Sequence, residues 1–368
     1  GYDYGWGAAY SPLDEGVIIV GSKSPIINGQ SDLWAIKTDK RGIMQWQKTF
    51  GGNENEEGFD VIATSDGGFL FVGYTWSMGN AQQIYAIKTD FHGNLEWEKV
   101  YGGSMWEVGT AVLETSDGGY AITGFSNSPG ISSGNSDMLL IIIDQNGDMI
   151  WQKAYGNHAF PNHEWAYDFS ITSDQGYILV GSRNRYNNGG LNPLIIRLDR
   201  NGKLLWEKEL LDEELQNESI YSISKSVNGN YFLCSSINSL NQPEIYQPKI
   251  TKMDGFGNID WQRKFKSDSR EYHRFSTTTT LGGDLVIVGT SYHDFSTLNK
   301  EDAFMIKINS KGDIVWTNSF GTSDQDDWGW SVFEAPSENI IFVGSTKSFG
   351  VSLFDIYLVG TNKEGVLQ

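Results

Sequence analysis

A single cysteine, Cys234, stands in a chain of 368 residues. That excludes a disulfide framework or a cysteine-based zinc site within the chain. Cys234 follows Tyr231-Phe232-Leu233 and reads as a small buried hydrophobe. Proline is also scarce, at 8 residues. No apolar run reaches the roughly 18 residues of a membrane-spanning helix, and no stretch holds a helical period over about 11 residues. Basic residues are in deficit: 27 Lys and Arg against 46 Asp and Glu leave a net charge of −19. Nucleic acid and anionic membrane surfaces both call for a basic face, so neither is an expected partner. Glycine-rich phosphate loops, Gly-x-Ser-x-Gly elbows and His-Glu-x-x-His pairs are all missing. No cofactor is therefore expected. No signal peptide is present, and Gly1 opens within a repeat, as a trimmed product would.

What is abundant is glycine, at 43 residues, and aromatics, at 13%. Both recur with a period. Gly-x-x-x-Trp occurs at Gly42/Trp46, Gly93/Trp97, Gly147/Trp151, Gly202/Trp206, Gly257/Trp261 and Gly312/Trp316, with Trp spacings of 51, 54, 55, 55 and 55. Three residues before each glycine stands Asp39, Asp90, Asp144, Asp199, Asp254 or Asn309, and Asn362 before Gly365 makes a seventh copy. An apolar strand ends at Gly21, Gly73, Gly124, Gly181, Ser235, Gly289 and Gly344, again seven times. Each unit reads as four short strands, A to D, rich in β-branched and aromatic residues. Seven such units describe an all-β, seven-bladed β-propeller with four antiparallel strands per blade. The expected blades are residues 1–50, 51–101, 102–155, 156–210, 211–265, 266–320 and 321–368, in one domain. Asp-x-x-Gly should form the C–D hairpin, with Asp capping it and Gly at positive φ. The strand D Trp should dock on the next blade and bond a carbonyl there.

The unit resembles the tryptophan-docking propeller repeat of the quinoprotein (PQQ-like) type. It is still more similar to repeats of secreted or surface bacterial and archaeal proteins. Trp97-Glu98-Lys99-Val100-Tyr101-Gly102-Gly103 and Thr115-Ser116-Asp117-Gly118-Gly119-Tyr120 carry that likeness. It implies the propeller fold and an extracellular or cell-surface location. It does not bring the quinoprotein cofactor, which the best-known members bind with a vicinal disulfide.

The hairpins A–B and C–D are short and uniform. The D–A and B–C connections vary, and variable loops on a rigid scaffold are where binding usually resides. Candidate ligand-binding residues at that end are Trp76, Trp106, His158, His163, Trp165, Tyr186, Tyr272, His273, Tyr292, His293, Trp328 and Trp330. Aromatics among Asp, Asn and Glu suit sugar rings or partner proteins. Trp106, Trp165, Trp328 and Trp330 could equally pack as core. A carboxylate also precedes strand A in each unit: Asp3, Glu57, Glu107, Glu164, Glu218, Glu271 and Asp327. These acids could hold a hard cation such as Ca2+. They could instead accept backbone N–H bonds from loops. No residue is assigned as catalytic. The expectation is a non-catalytic glycan- or protein-binding propeller, with a carbohydrate hydrolase or lyase as one alternative and a surface-layer or filament unit as another.

Overall fold

A computed structural model describes residues 3–24, 30–79, 81–128, 135–156, 162–184, 190–212, 215–239, 242–265, 275–292, 301–322, 325–349 and 354–368. The chain is a seven-bladed β-propeller. Six blades are four-stranded antiparallel sheets in simple A-B-C-D order. The seventh has three strands, and a single bridge from Thr361 to Leu367 extends it. By packing, the chain divides into two compact units, Gly1–Gly189 with Ile195–Glu207, and Gly190–Leu194 with Lys208–Gln368.

The strand pattern follows from position in the blade. Strands B and C have neighbours on both faces, so they are apolar throughout. In blade 2, strand B is Phe69–Thr75 and strand C is Gln83–Thr89, and nearly every residue of both is buried. Strand D, Leu95–Tyr101, is an edge strand and alternates between exposed and half-buried residues. Strand A, Glu56–Ala63, carries a bulge between Gly58 and Asp60. The core lies in the seams between successive blades. One cluster joins Leu70, Val72 and Ile84 of blade 2 to Val112, Ile122, Leu139 and Ile141 of blade 3. In the second unit, Phe232 and Ile250 pack with Leu285 and Ile306 in the same way. Cys234 lies fully buried in that cluster, as its neighbours in sequence implied.

The turn residues do what their spacing predicted. All seven C–D glycines, from Gly42 to Gly365, have positive φ. Asp90 Oδ1 accepts the N–H groups of His92 and Asn94, both at 2.8 Å. On the A–B hairpins the same backbone state is filled by Gly67, Gly118, Gly229 and Gly283, but by Glu15, Gln175 and Glu338 in the other three blades.

Trp46, Trp97, Trp151, Trp261 and Trp316 each reach the C–D turn of the next blade. Trp46 Nε1 donates to Phe91 O at 3.2 Å, and Trp97 Nε1 donates to Gln145 O at 3.2 Å. In the second unit Trp261 bonds Ser310 O at 3.3 Å and Trp316 bonds Lys363 O at 3.0 Å. The ring lies flat on the turn glycine. A Cβ at Gly93 would stand 3.0 Å from the Trp46 ring, and one at Gly147 would stand 3.0 Å from Trp97. The glycine is thus required twice, for its φ and for the space above it.

We expect Trp97→Ala to destabilise the protein by roughly 3 kcal/mol, through lost area and a seam cavity. Trp97→Phe should keep most of the area and lose about 1 kcal/mol with the indole bond. Urea denaturation of both variants checks the order.

Candidate functional site

The strand A acids shape the loops that carry the aromatics. In blade 2 the recurring position is filled by Glu56, which is fully buried, and Glu57 is its half-buried neighbour. The reason is register: Glu56 pairs with Thr75, two residues past Gly73, just as Glu107 pairs with Ser126, two past Gly124. The Glu57 expectation is therefore one residue out of step, and the adjacent glutamates hid the slip.

Three of these acids make one clamp. Glu56 accepts Gly52 N–H at 2.8 Å with Oε2, and Thr75 Oγ1 at 2.6 Å and Ser77 N–H at 3.2 Å with Oε1. Glu107 accepts Gly103 N–H at 2.9 Å and Ser126 Oγ at 2.8 Å. Asp327 accepts Thr322 N–H at 3.2 Å and the hydroxyls of Thr346 and Ser348. Each acid ties the D–A connection to the start of the B–C connection. The Gly-Gly after strand D leaves it room: a Cβ at Gly102 would lie 2.4 Å from Glu107 Oε2, and one at Gly51 would lie 2.3 Å from Glu56 Oε2. In blades 4 and 5 the acid takes a basic partner instead. Glu164 binds Arg183 Nε at 2.7 Å, and Glu218 binds Lys249 Nζ at 2.9 Å. Burial pushes the Glu218 carboxyl up, against the pull of Lys249. Asp3 stands opposite Lys23 in the backbone register of strands A and B of blade 1. Among the described residues no three His, Cys, Asp or Glu side chains cluster as a metal site would.

The clamp in blade 2 presents Trp76, which lies between Thr75 and Ser77. Trp106 directly precedes Glu107. The two rings meet edge to face with centroids 6.3 Å apart, and they are 39% and 55% exposed. Their backbones are fixed. Trp76 N–H donates to Asn55 O at 2.9 Å, and Trp106 N–H donates to Asn127 Oδ1 at 2.9 Å. This is an exposed aromatic surface at the variable-loop end of blades 2 and 3.

The other aromatic candidates sit differently. Trp328 stacks on Phe354 at 4.1 Å and donates to Glu301 Oε2 at 3.0 Å. Trp330 donates to Ser345 Oγ at 3.2 Å, and both rings are half-buried. Trp165 is also half-buried and stacks on His163, with centroids 5.7 Å apart. His163 Nδ1 accepts Ser136 N–H at 3.3 Å. Trp106 thus parts company with these three, which share the packed role. His158, Tyr186, Glu271, Tyr272, His273 and His293 lie outside the described residues, as does the side chain of Tyr292.

One repeated feature escaped the sequence reading. A base on strand C, two residues before the turn Asp or Asn, pairs with the A–B hairpin. Lys37 binds Asp14 at 2.7 Å, Lys88 binds Asp66 at 2.9 Å, Arg197 binds Asp174 at 2.6 Å and Lys307 binds Asp284 at 3.5 Å. The signal was the short string Lys-Thr-Asp and its variants. Blade 3 has Ile142 at this place.

Asp60, on strand A of blade 2, also carries a carboxyl displaced upward. Its oxygens accept Val61 N–H at 2.8 Å and Val112 N–H of blade 3 at 2.9 Å. Burial outweighs both bonds and pushes the carboxyl up to about 6. The folded protein therefore holds this proton more tightly than the unfolded chain. The contribution to stability is full below about pH 4 and is lost as pH rises through about 6. Wild type minus Asp60→Asn, measured by urea denaturation across that window, should show a loss on the order of 2 kcal/mol.

No family model and no curated protein matches the chain. Solved structures match in fold. A polysaccharide lyase of family PL25, an ulvan lyase bound to -[GlcA(1-4)Rha3S]-, has a TM-score of 0.63 at 12% identity, covering 99% of this chain and 96% of its own. A GH93 α-L-arabinofuranosidase of Fusarium graminearum, in complex with arabinobiose, has a TM-score of 0.54 at 12% identity, covering 81% and 91%. The β-propeller domain of the trilobed protease from Pyrococcus furiosus has a TM-score of 0.52 at 10% identity, covering 98% and 95%.

Proposed function

We propose that this protein is a glycan-binding propeller whose contact surface is centred on Trp76 and Trp106. The observation that carries the reading is the exposed, edge-to-face tryptophan pair, fixed by backbone bonds and set between two carboxylate clamps. A pyranose presents a flat patch of C–H groups to such rings, and its hydroxyls suit amides such as Asn55 and Asn127. Glu56 and Glu107 act as positioning residues, since each fixes a chain segment next to a tryptophan. The two glycan-active fold neighbours lend general support to a carbohydrate partner. An extracellular or cell-surface setting goes with it, since polysaccharides are met there. We also infer kinship with tryptophan-docking repeats, supported by the four indole-to-carbonyl bonds across seams.

Trp76→Ala and Trp106→Ala are each expected to weaken polysaccharide binding at least about tenfold, with little change in thermal midpoint because both side chains are exposed. Affinity gels cast with neutral and acidic polysaccharides give the readout. Wild-type retention in both variants would move the contact surface elsewhere. Release of new reducing ends or unsaturated products would favour the hydrolase or lyase reading over simple binding.

A further inference from the structure

At the hairpin end of blades 3 and 4, within the first compact unit, lies a cavity of about 350 Å³. It is remote in topology from Trp76 and Trp106, because A–B and C–D hairpins leave a blade at the end opposite to the D–A and B–C connections. The cavity lies where blade 3 departs from the base rule. In blade 2, Lys88 runs under the A–B turn and its Nζ would touch a Cβ at Gly68, at 2.5 Å, while pairing with Asp66. In blade 3 the apolar Ile142 stands at the position of the base, and Asp117 keeps the threonine bond, from Thr115, that Asp66 also accepts from Thr64.

The walls of this space are of two kinds. Trp151 and Tyr177 supply aromatic surface, and the buried Ile142 lines it too. Asp117 and Arg200 supply one charge of each sign at the rim. Ser116 and Gln175 are already bonded to each other at 2.7 Å and act as wall rather than as ligands. The size falls in the range of small-molecule sites. The two rim charges cancel, and the chain as a whole carries −19, which disfavours an anionic guest. A guest that stacks apolar C–H groups on an indole, donates hydroxyls to a carboxylate and accepts from a guanidinium is an uncharged polyol ring.

We propose that this cavity is a second binding site, separate from the Trp76–Trp106 surface, and that it takes one neutral sugar ring. The Asp117 carboxylate receives hydroxyl donors, Arg200 donates to ring or hydroxyl oxygens, and Trp151 supports the apolar face. The proposal does not depend on the first surface.

The test is protein-detected NMR titration with the methyl glycosides of glucose, galactose, mannose, rhamnose and arabinose. The Trp151 indole N–H signal, assigned through Trp151→Phe, is expected to shift and saturate with at least one of them. Ile142→Lys recreates the Lys88 arrangement, with the longer side chain crossing the cavity to pair with Asp117, so the shift should vanish while the melting temperature holds or rises. Asp117→Asn and Arg200→Ala are surface changes that keep the fold, and each should weaken binding about tenfold. Trp106→Ala should leave the Trp151 response unchanged. A wild-type Trp151 signal that moves with none of the five sugars overturns the proposal. So does equal affinity in wild type and Asp117→Asn, which is decisive even if Ile142→Lys does not fold.

Discussion

Everything in this chain leans on one contact, the strand D indole laid on the glycine of the next blade's C–D turn. It is a coincidence of three requirements at one place. The turn needs positive φ, the indole needs a flat floor, and its N–H needs a carbonyl. Glycine satisfies the first two and the turn backbone supplies the third. Because the ring belongs to one blade and the turn to its successor, each copy of the motif specifies a seam as well as a sheet.

The carboxylate clamp is the counterpart at the other end of the blade. Where it is made of Glu56, Glu107 or Asp327, it joins the incoming and outgoing loops through backbone N–H groups and hydroxyls. The residue between the two clamping hydroxyl positions is then free to vary: Trp76, Asn127 or Lys347. A uniform buried acid thereby holds a non-uniform surface residue. That division explains why a feature present in blade after blade can serve a site found in one place.

Fold was legible because backbone demands recur. Asp90, Gly93 and Trp97 are needed in each blade for the same reason, so counting them revealed the architecture. The site was less legible, for reasons particular to each residue. Glu56 and Glu57 are chemically identical, and strand pairing alone decides which one faces inward. Trp106 and Trp165 look alike in sequence, each beside an acid at a strand start, yet the first precedes its glutamate and the second follows it. Trp106 therefore stands just outside its strand A, Glu107–Glu114, and is exposed, whereas Trp165 lies within its strand A, His163–Ile171, and is half-buried against His163. Ile142 was legible in principle, since it interrupts a run of bases, but the run itself gains meaning only once Lys37 and Lys88 are seen beneath their hairpins.

The indole-to-carbonyl bonds span 45, 48, 49 and 47 residues, about one repeat in each case. Strand pairing within a blade is shorter still. Such a chain has low contact order for an all-β protein, since a finished blade waits for only one more repeat to dock. Folding can then advance as a zipper from blade to blade, and a weakened seam would act as a break point between cooperative segments.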